Sequence, residues 1–231
     1  MITDWLAFWD SPHVIYVSRR HKDAHFRQVA QHVAALVRGT GTRVLDYGCG
    51  DALHAEIVAE AADEVILCEA AESARAALEK RFADHPKIRV VAPHEVARLP
   101  QHSLDLIVIH SVIQYLTPTG TGALFAMFRR LLKPDGLLVV SDVVQPQTPA
   151  ALDAWALLRF GQANRFFFAA LFGLARIVLS RYWRLRSQLG LTRYGHTAMI
   201  EKLSAAGFSA ERAPANIGHN RERRTYYARP R

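Results

Sequence analysis

At 231 residues, half of them hydrophobic, the chain is long enough to bury one α/β core as a single domain over 1–231. Its two cysteines, Cys49 and Cys68, exclude a disulfide framework and lack metal-motif spacing, which points to a reducing, cytoplasmic setting. The longest apolar run, 166–175, falls far short of the ~18–20 residues that cross a bilayer, and most of the formal charge of +8 sits in one segment.

The first 42 residues open on Met1-Ile2-Thr3-Asp4-Trp5, without the basic-then-apolar pattern of a signal peptide. Helical periodicity covers 18–38, with Phe26, Val29, Val33, Leu36 and Val37 along one side. His21 and His25 stand at i and i+4 there, a spacing that can chelate a metal. No third ligand of a suitable kind accompanies them, so no metal is expected.

A buried strand is predicted at 43–47, running into Asp46-Tyr47-Gly48-Cys49-Gly50, with a helix over 53–62 straight after. Val65-Ile66-Leu67-Cys68-Glu69 reads as a second strand, ending in a carboxylate nineteen residues past Gly50. Further strands fall near 88–92, 104–110 and 137–142, with helical patterns at 73–83 and 121–132. A helix over 197–206 then precedes a closing pair of strands, 208–214 and 225–229. Such alternation predicts a parallel sheet with helices on both faces.

The turn after the first strand carries the chemistry. Glycines there let backbone approach a ligand without a Cβ in the way, and the next helix offers unpaired N–H groups to the same crevice. Glu69 is placed to accept hydrogen bonds from the two hydroxyls of a ribose. A dinucleotide fingerprint would continue to a third glycine, but Leu53 stands there, so close pyrophosphate approach is not provided for. Asp46 would repel a pyrophosphate and suits a ligand carrying an ammonium and a sulfonium.

Residues 44–52 resemble motif I of the class I S-adenosylmethionine-dependent methyltransferases. Later segments are similar to that family in order. Glu95 stands four residues before Leu99-Pro100, where the family places an acid that binds the adenine amino group. His110-Ser111-Val112-Ile113-Gln114-Tyr115 resembles the Asn-Ser-Val-x-Gln-Tyr segment of methyltransferase domains in peptide and polyketide assembly lines, with His110 in place of Asn. The resemblance covers about 40–145 and, less specifically, 196–231.

The resemblance implies a seven-stranded, mostly parallel Rossmann-like α/β sheet in the order 3-2-1-4-5-7-6. It divides the chain into an N-terminal helical cap (1–42), a cofactor-binding core (43–145), a helical insert after the fifth strand (146–195), and a last helix with the closing strands (196–231). It implies S-adenosyl-L-methionine as cofactor and S-adenosyl-L-homocysteine as product. Asp46 would hold the methionyl ammonium, the backbone of Tyr47, Gly48, Cys49 and Gly50 would lie along the cofactor, and Glu69 with Ala70 would take the ribose. Glu95 and the Val96 N–H would read adenine. An aromatic of the cap would touch the methionyl end; Tyr16 is the candidate, and Trp5, Phe8 and Trp9 compete with it or simply pack.

On the acceptor side stand His110, Ser111, Gln114 and Tyr115, with His110 and Tyr115 the catalytic candidates; His110 and Ser111 would also touch the cofactor. A ring nitrogen of His110 could take the proton of an incoming hydroxyl or amine, or merely shape the pocket.

The insert, 146–195, holds seven arginines (Arg159, Arg165, Arg176, Arg181, Arg184, Arg186 and Arg193) against one acid, Asp153, amid Phe160, Phe166, Phe167, Phe168, Phe172, Tyr182 and Trp183. Such helices cover a substrate as a lid, or contact a membrane surface peripherally. Their phenylalanines cluster in runs rather than alternating with basic residues, which argues against nucleic acid. The expected activity is O- or N-methylation of a small apolar, amphipathic or lipid-like acceptor. A protein or RNA methyltransferase and a non-catalytic cofactor-binding scaffold are the rivals. The oligomeric state leaves no mark in the sequence.

Overall fold

A computed structural model describes residues 3–11 and 15–231. Its strands are β1 (Arg43–Tyr47), β2 (Glu64–Cys68), β3 (Ile88–Val91), β4 (Leu104–His110), β5 (Leu132–Val143), β6 (Phe208–Arg212) and β7 (Arg224–Pro230). They form one sheet in the order β3-β2-β1-β4-β5-β7-β6. The first five run parallel, and β7 lies antiparallel between β5 and β6. The expected strand order is therefore borne out.

Side-chain alternation along the strands explains the two layers of helix. Leu45, Ile107 and Ile109 face one way, onto α6 (Pro118–Leu131) and α10 (His196–Ala205) through Phe125, Phe128, Met199 and Leu203. Val44, Leu106 and Val108 face the other, onto α2 (Arg19–Ala34), α3 (Ala55–Ala61) and α4 (Glu72–Phe82) through Val29, Val58, Leu78 and Phe82.

Two local expectations shift. The helix after the glycine turn starts at Ala55, because residues 51–54 complete the turn with Ala52 at φ +40°. The fifth strand, expected from 137, already begins at Leu132 and takes in a wide bulge. Leu104 pairs with Leu132 and Leu106 with Leu137, so residues 133–136 loop out where Pro134 has no N–H for the ladder.

The insert folds as three helices, α7 (Ala150–Ala163), α8 (Phe167–Val178) and α9 (Arg181–Leu189). Gly161 lets α7 and α8 close together: a Cβ there would meet Ala170 Cβ at 3.1 Å and Phe167 Cα at 3.2 Å. Gly173, on the buried face of α8, makes room for Val17 from the cap. On the far side, Trp5 and Phe8 of α1 (Thr3–Trp9) pack on Tyr182 of α9 and, for Trp5, on Tyr115. Cap and insert thus hold each other over the carboxyl ends of the strands.

Gly173→Val forces α8 away from Val17. The expected cost is about 1–3 kcal/mol, seen as a lower melting temperature and faster proteolysis within 146–195; an unchanged melt would show that this contact does not hold the insert.

Candidate active site

The site is built at the carboxyl ends of β1, β2, β4 and β5. Gly48 (φ +76°) and Gly50 (φ +58°) occupy the left-handed region that their turn demands. A Cβ on Gly48 would collide with Val112, so the turn closes against the end of β4. The N–H groups of Gly48 and Cys49 both donate to the Cys68 carbonyl, at 2.8 and 3.1 Å. Glu69 completes the clamp: its carboxylate accepts from Gly50 N at 2.8 Å and from Ala71 N at 2.8 Å. The Ala70 carbonyl accepts from Arg75, which braces the same corner.

Asp46 is the penultimate residue of β1, beside Glu69. Burial, and then the Glu69 charge, push its carboxyl up to about 7. It has no ion-pair partner among the described residues, which leaves it suited to a ligand that brings a cation. Burial likewise raises the Cys49 and Cys68 thiols, so both are protonated at neutral pH and fill space. The ring of Tyr47 turns away and packs edge-on against Phe128, 5.2 Å between centroids, so this residue offers the crevice backbone rather than its hydroxyl.

The cap closes over the glycine turn. Lys22 pairs with Asp51 (2.7 Å) and His54 with Asp23 (2.8 Å), which latches α2 to the glycine turn. Phe26 comes within 3.6 Å of the point a Gly50 Cβ would occupy. Tyr16 packs on Phe26, His21 and His25, and burial, with Asp51 and Asp142 nearby, raises its phenol. Trp5 and Phe8 are instead core residues of the α1 cluster, with Trp9 packed beside them.

Two expectations meet competing bonds. Glu95 accepts from Ala92 N at 2.7 Å, capping α5 (Pro93–Val96), and the Val96 N–H donates to the Ala92 carbonyl at 3.3 Å. Both groups are satisfied within their own turn. Tyr115 lies in the aromatic cluster with Trp5 (4.8 Å) and Trp9 (5.4 Å) and does not line the cavity beside His110.

That cavity, about 510 Å³, lies between the strand ends and the insert. Its apolar wall includes Ala154, Leu174, Ile177 and Trp183; its polar end holds His25, His110, His219 and Asp142. The His110 ring bonds Ser141 Oγ through Nδ1 at 2.9 Å, and Ser141 Oγ in turn donates to the Ile109 carbonyl at 3.5 Å. In the tautomer whose Nδ1–H donates to the serine oxygen, Nε2 carries the lone pair. Three buried imidazole nitrogens have no partner: His110 Nε2, His25 Nδ1 and His219 Nδ1. The His25 ring is 5.6 Å from that of His110 and 6.0 Å from that of His219.

Burial lowers all four histidines of this region: His21 to about 4, and His25, His110 and His219 below their ordinary value. They are neutral at pH 7. No group of three or more His, Cys, Asp or Glu among the described residues is arranged to hold a metal ion.

Sequence reasoning missed Asp142, His25 and His219 as one cluster. Burial opposes the ionisation of Asp142, but Arg223, His110, the Ser111 hydroxyl and the Asn216 amide together hold its carboxyl down to about 2. Ser111 Oγ donates to it at 2.6 Å, and both residues have left-handed backbones, φ +56° and +60°. The one sequence signal was the density of Asn216, His219, Asn220 and Arg223 between the closing strands.

Residues 44–136 match the family model described as a methyltransferase domain. The ubiquinone biosynthesis O-methyltransferase of Bradyrhizobium diazoefficiens is 30% identical over 126 residues, 53% of this chain and 48% of that protein. Within residues 44–136 the chain carries a methyltransferase domain. It spans about half the length of that curated relative. The fold is shared with Streptomyces venezuelae DesVI (TM-score 0.60, 17% identity, covering 89% of this chain and 92% of that one). It is shared also with a structure of PigF with SAH (TM-score 0.55, 18% identity, 82% and 50%).

The buried neutral histidines make this domain acid-sensitive. Each takes up a proton near pH 6.5 when unfolded but resists it when folded, so stability is whole above pH 6.5 and falls as the pH drops toward 4. At pH 5.5 each fully suppressed histidine costs about 1.4 kcal/mol relative to neutral pH. Asp46 works the other way and offsets about one of them, since its raised carboxyl binds a proton only in the folded state. Urea unfolding at pH 7.5 and 5.5 should therefore give a lower stability at 5.5, and His25→Gln should shrink the difference.

Proposed function

We propose that the protein transfers a methyl group from S-adenosyl-L-methionine to a hydroxyl of a small apolar or amphipathic acceptor, leaving S-adenosyl-L-homocysteine. The observation that carries this reading is the unpartnered Nε2 of His110, at the end of β4 and on the wall of the cavity. The relative named as an O-methyltransferase supports a hydroxyl as the accepting group.

The cofactor would supply an already activated methyl, so the protein's work is alignment, water exclusion and proton handling. Asp46 would answer the methionyl ammonium and recover its charge on binding, since a cation beside it offsets the burial that raises it. Gly48 and Gly50 leave room for close approach, and Glu69 would share its oxygens between the ribose hydroxyls and the loop. Tyr16 and Phe26 would cover the methionyl end. As the acceptor oxygen takes the methyl, its proton would pass to His110 Nε2, and the resulting imidazolium would be stabilised by Asp142. Asp142 stays ionised throughout, which is what that role requires.

A macromolecular acceptor would draw on a basic groove of about 1180 Å³ between α2, α7 and the β6–β7 loop. His219 reaches that groove, but His110 lines only the cavity. The small-acceptor reading is therefore preferred.

Calorimetric titration with S-adenosyl-L-homocysteine tests the cofactor side. Glu69→Ala removes two charge-assisted hydrogen bonds of ~1.5–3 kcal/mol each, so affinity should fall at least ~tenfold; equal affinities would place the ribose elsewhere, and a wild type that binds nothing would end the reading.

His110→Asn tests the base. With an acceptor in hand, turnover should drop by about 10²–10⁴ while cofactor affinity stays put; activity within a few-fold of wild type across pH 6–9 would leave His110 as a shaping residue only.

A further inference from the structure

Every large apolar side chain that stands exposed among the described residues lies in the insert, between Leu152 and Leu189. They concentrate on α8. Phe167, Phe168, Leu171, Phe172 and Val178 share one face of that helix, with Phe168 73% and Phe172 70% exposed, and Leu179 just beyond is 84% exposed. The opposite face, Ala170 and Gly173, is already committed to α7 and Val17. Monomeric soluble surfaces rarely leave so continuous an apolar patch uncovered.

The charges around the patch specify what covers it. Arg165 precedes α8, Arg176 lies within it, and Arg181 and Arg184 open α9. All four are exposed, and none has an ion-pair partner among the described residues. Arg165 also borders the basic groove, where Arg159, Arg212 and Arg221 likewise lack acidic partners. Aromatic side chains ringed by unneutralised arginines fit an anionic, apolar-cored surface. At twelve residues α8 is about 18 Å long, and no helix among the described residues is long and apolar enough to cross a membrane. A helix of this kind lies in the plane of the interface.

We propose that the outer face of α8 docks on an anionic lipid bilayer, and that the acceptor cavity opens onto that surface. Ala175 and Val178 carry the link between the two: both are exposed beside the patch, and both line the cavity. An amphipathic acceptor dissolved in the bilayer enters there, apolar part along Leu174 and Ile177, polar group toward the histidines. The cavity half of this inference rests on the proposed methyl transfer; the docking half does not.

Co-sedimentation with vesicles of phosphatidylcholine and phosphatidylglycerol (3:1), against phosphatidylcholine alone, reads docking directly. Binding should be at least ~tenfold tighter to the anionic vesicles at low salt and should weaken as salt rises. Phe168→Ser with Phe172→Ser should lower that affinity at least ~tenfold, while the melting temperature and S-adenosyl-L-homocysteine affinity stay unchanged. Arg176→Ser with Arg181→Ser should erase the preference for anionic lipid. Equal, weak sedimentation with both vesicle types would overturn the proposal, as would a phenylalanine variant that binds like wild type. So would a dimer in sedimentation velocity that the phenylalanine variant dissolves, since the patch would then be an interface between copies. A wild type that docks but binds no S-adenosyl-L-homocysteine would instead strike the proposed function alone.

Discussion

The cavity beside His110 depends on one carboxylate, Asp153. It is the only acid of the insert, and it receives Arg186 of α9 at 3.0 Å, Arg223 at 2.9 Å and Asn220 at 2.9 Å. These contacts join α7, α9 and the β6–β7 loop around the cavity. The three ionic side chains are largely withdrawn from water, 20%, 13% and 8% exposed, so leaving either arginine without its acid would cost more than a surface ion pair is worth. Without this knot α7 and α9 would lose their ionic tie to the β6–β7 loop, and the wall that faces His110 would be looser.

The two halves of the site solve opposite electrostatic problems. At the ends of β1 and β2, Asp46 and Glu69 place two carboxyls in a crevice where backbone N–H groups answer Glu69 and no cation is paired with Asp46 among the described residues. Around the cavity, burial keeps four imidazoles neutral, and the charge of Asp142 is balanced by Arg223 and hydrogen bonds. His110 stands between them. A neutral imidazole whose own partner is a serine, with an ionised carboxylate close by, is ready to accept a proton without carrying one beforehand.

The insert divides its surfaces in the same spirit. Small residues, Gly161, Ala170 and Gly173, let α8 press against α7 and the cap, which leaves its aromatics nowhere to go but outward. An ordinary lid would use phenylalanines inward, over the substrate. Here the cavity is lined from α8 by Leu174, Ala175, Ile177 and Val178, and the phenylalanines face away.

By itself the sequence determined the strand succession, the glycine turn and the carboxylate at the end of β2. Each is written in local period and spacing: alternation fixes which face of a strand is buried, and a left-handed turn admits glycine with little cost. The crevice at the ends of β1 and β2 was therefore legible in the sequence. The wide bulge in β5 was not, since Lys133-Pro134-Asp135-Gly136 carries the same local signals as a turn, and only pairing with β4 makes it strand. Nor was the histidine cluster, whose members come from α2, β4 and the β6–β7 loop and share no period. Glu95 and Tyr115 have the right positions in the chain, yet a helix cap and an aromatic cluster claim them. Tertiary structure decided these points because hydrogen-bond satisfaction and burial are settled by neighbours in space, which sequence spacing does not encode.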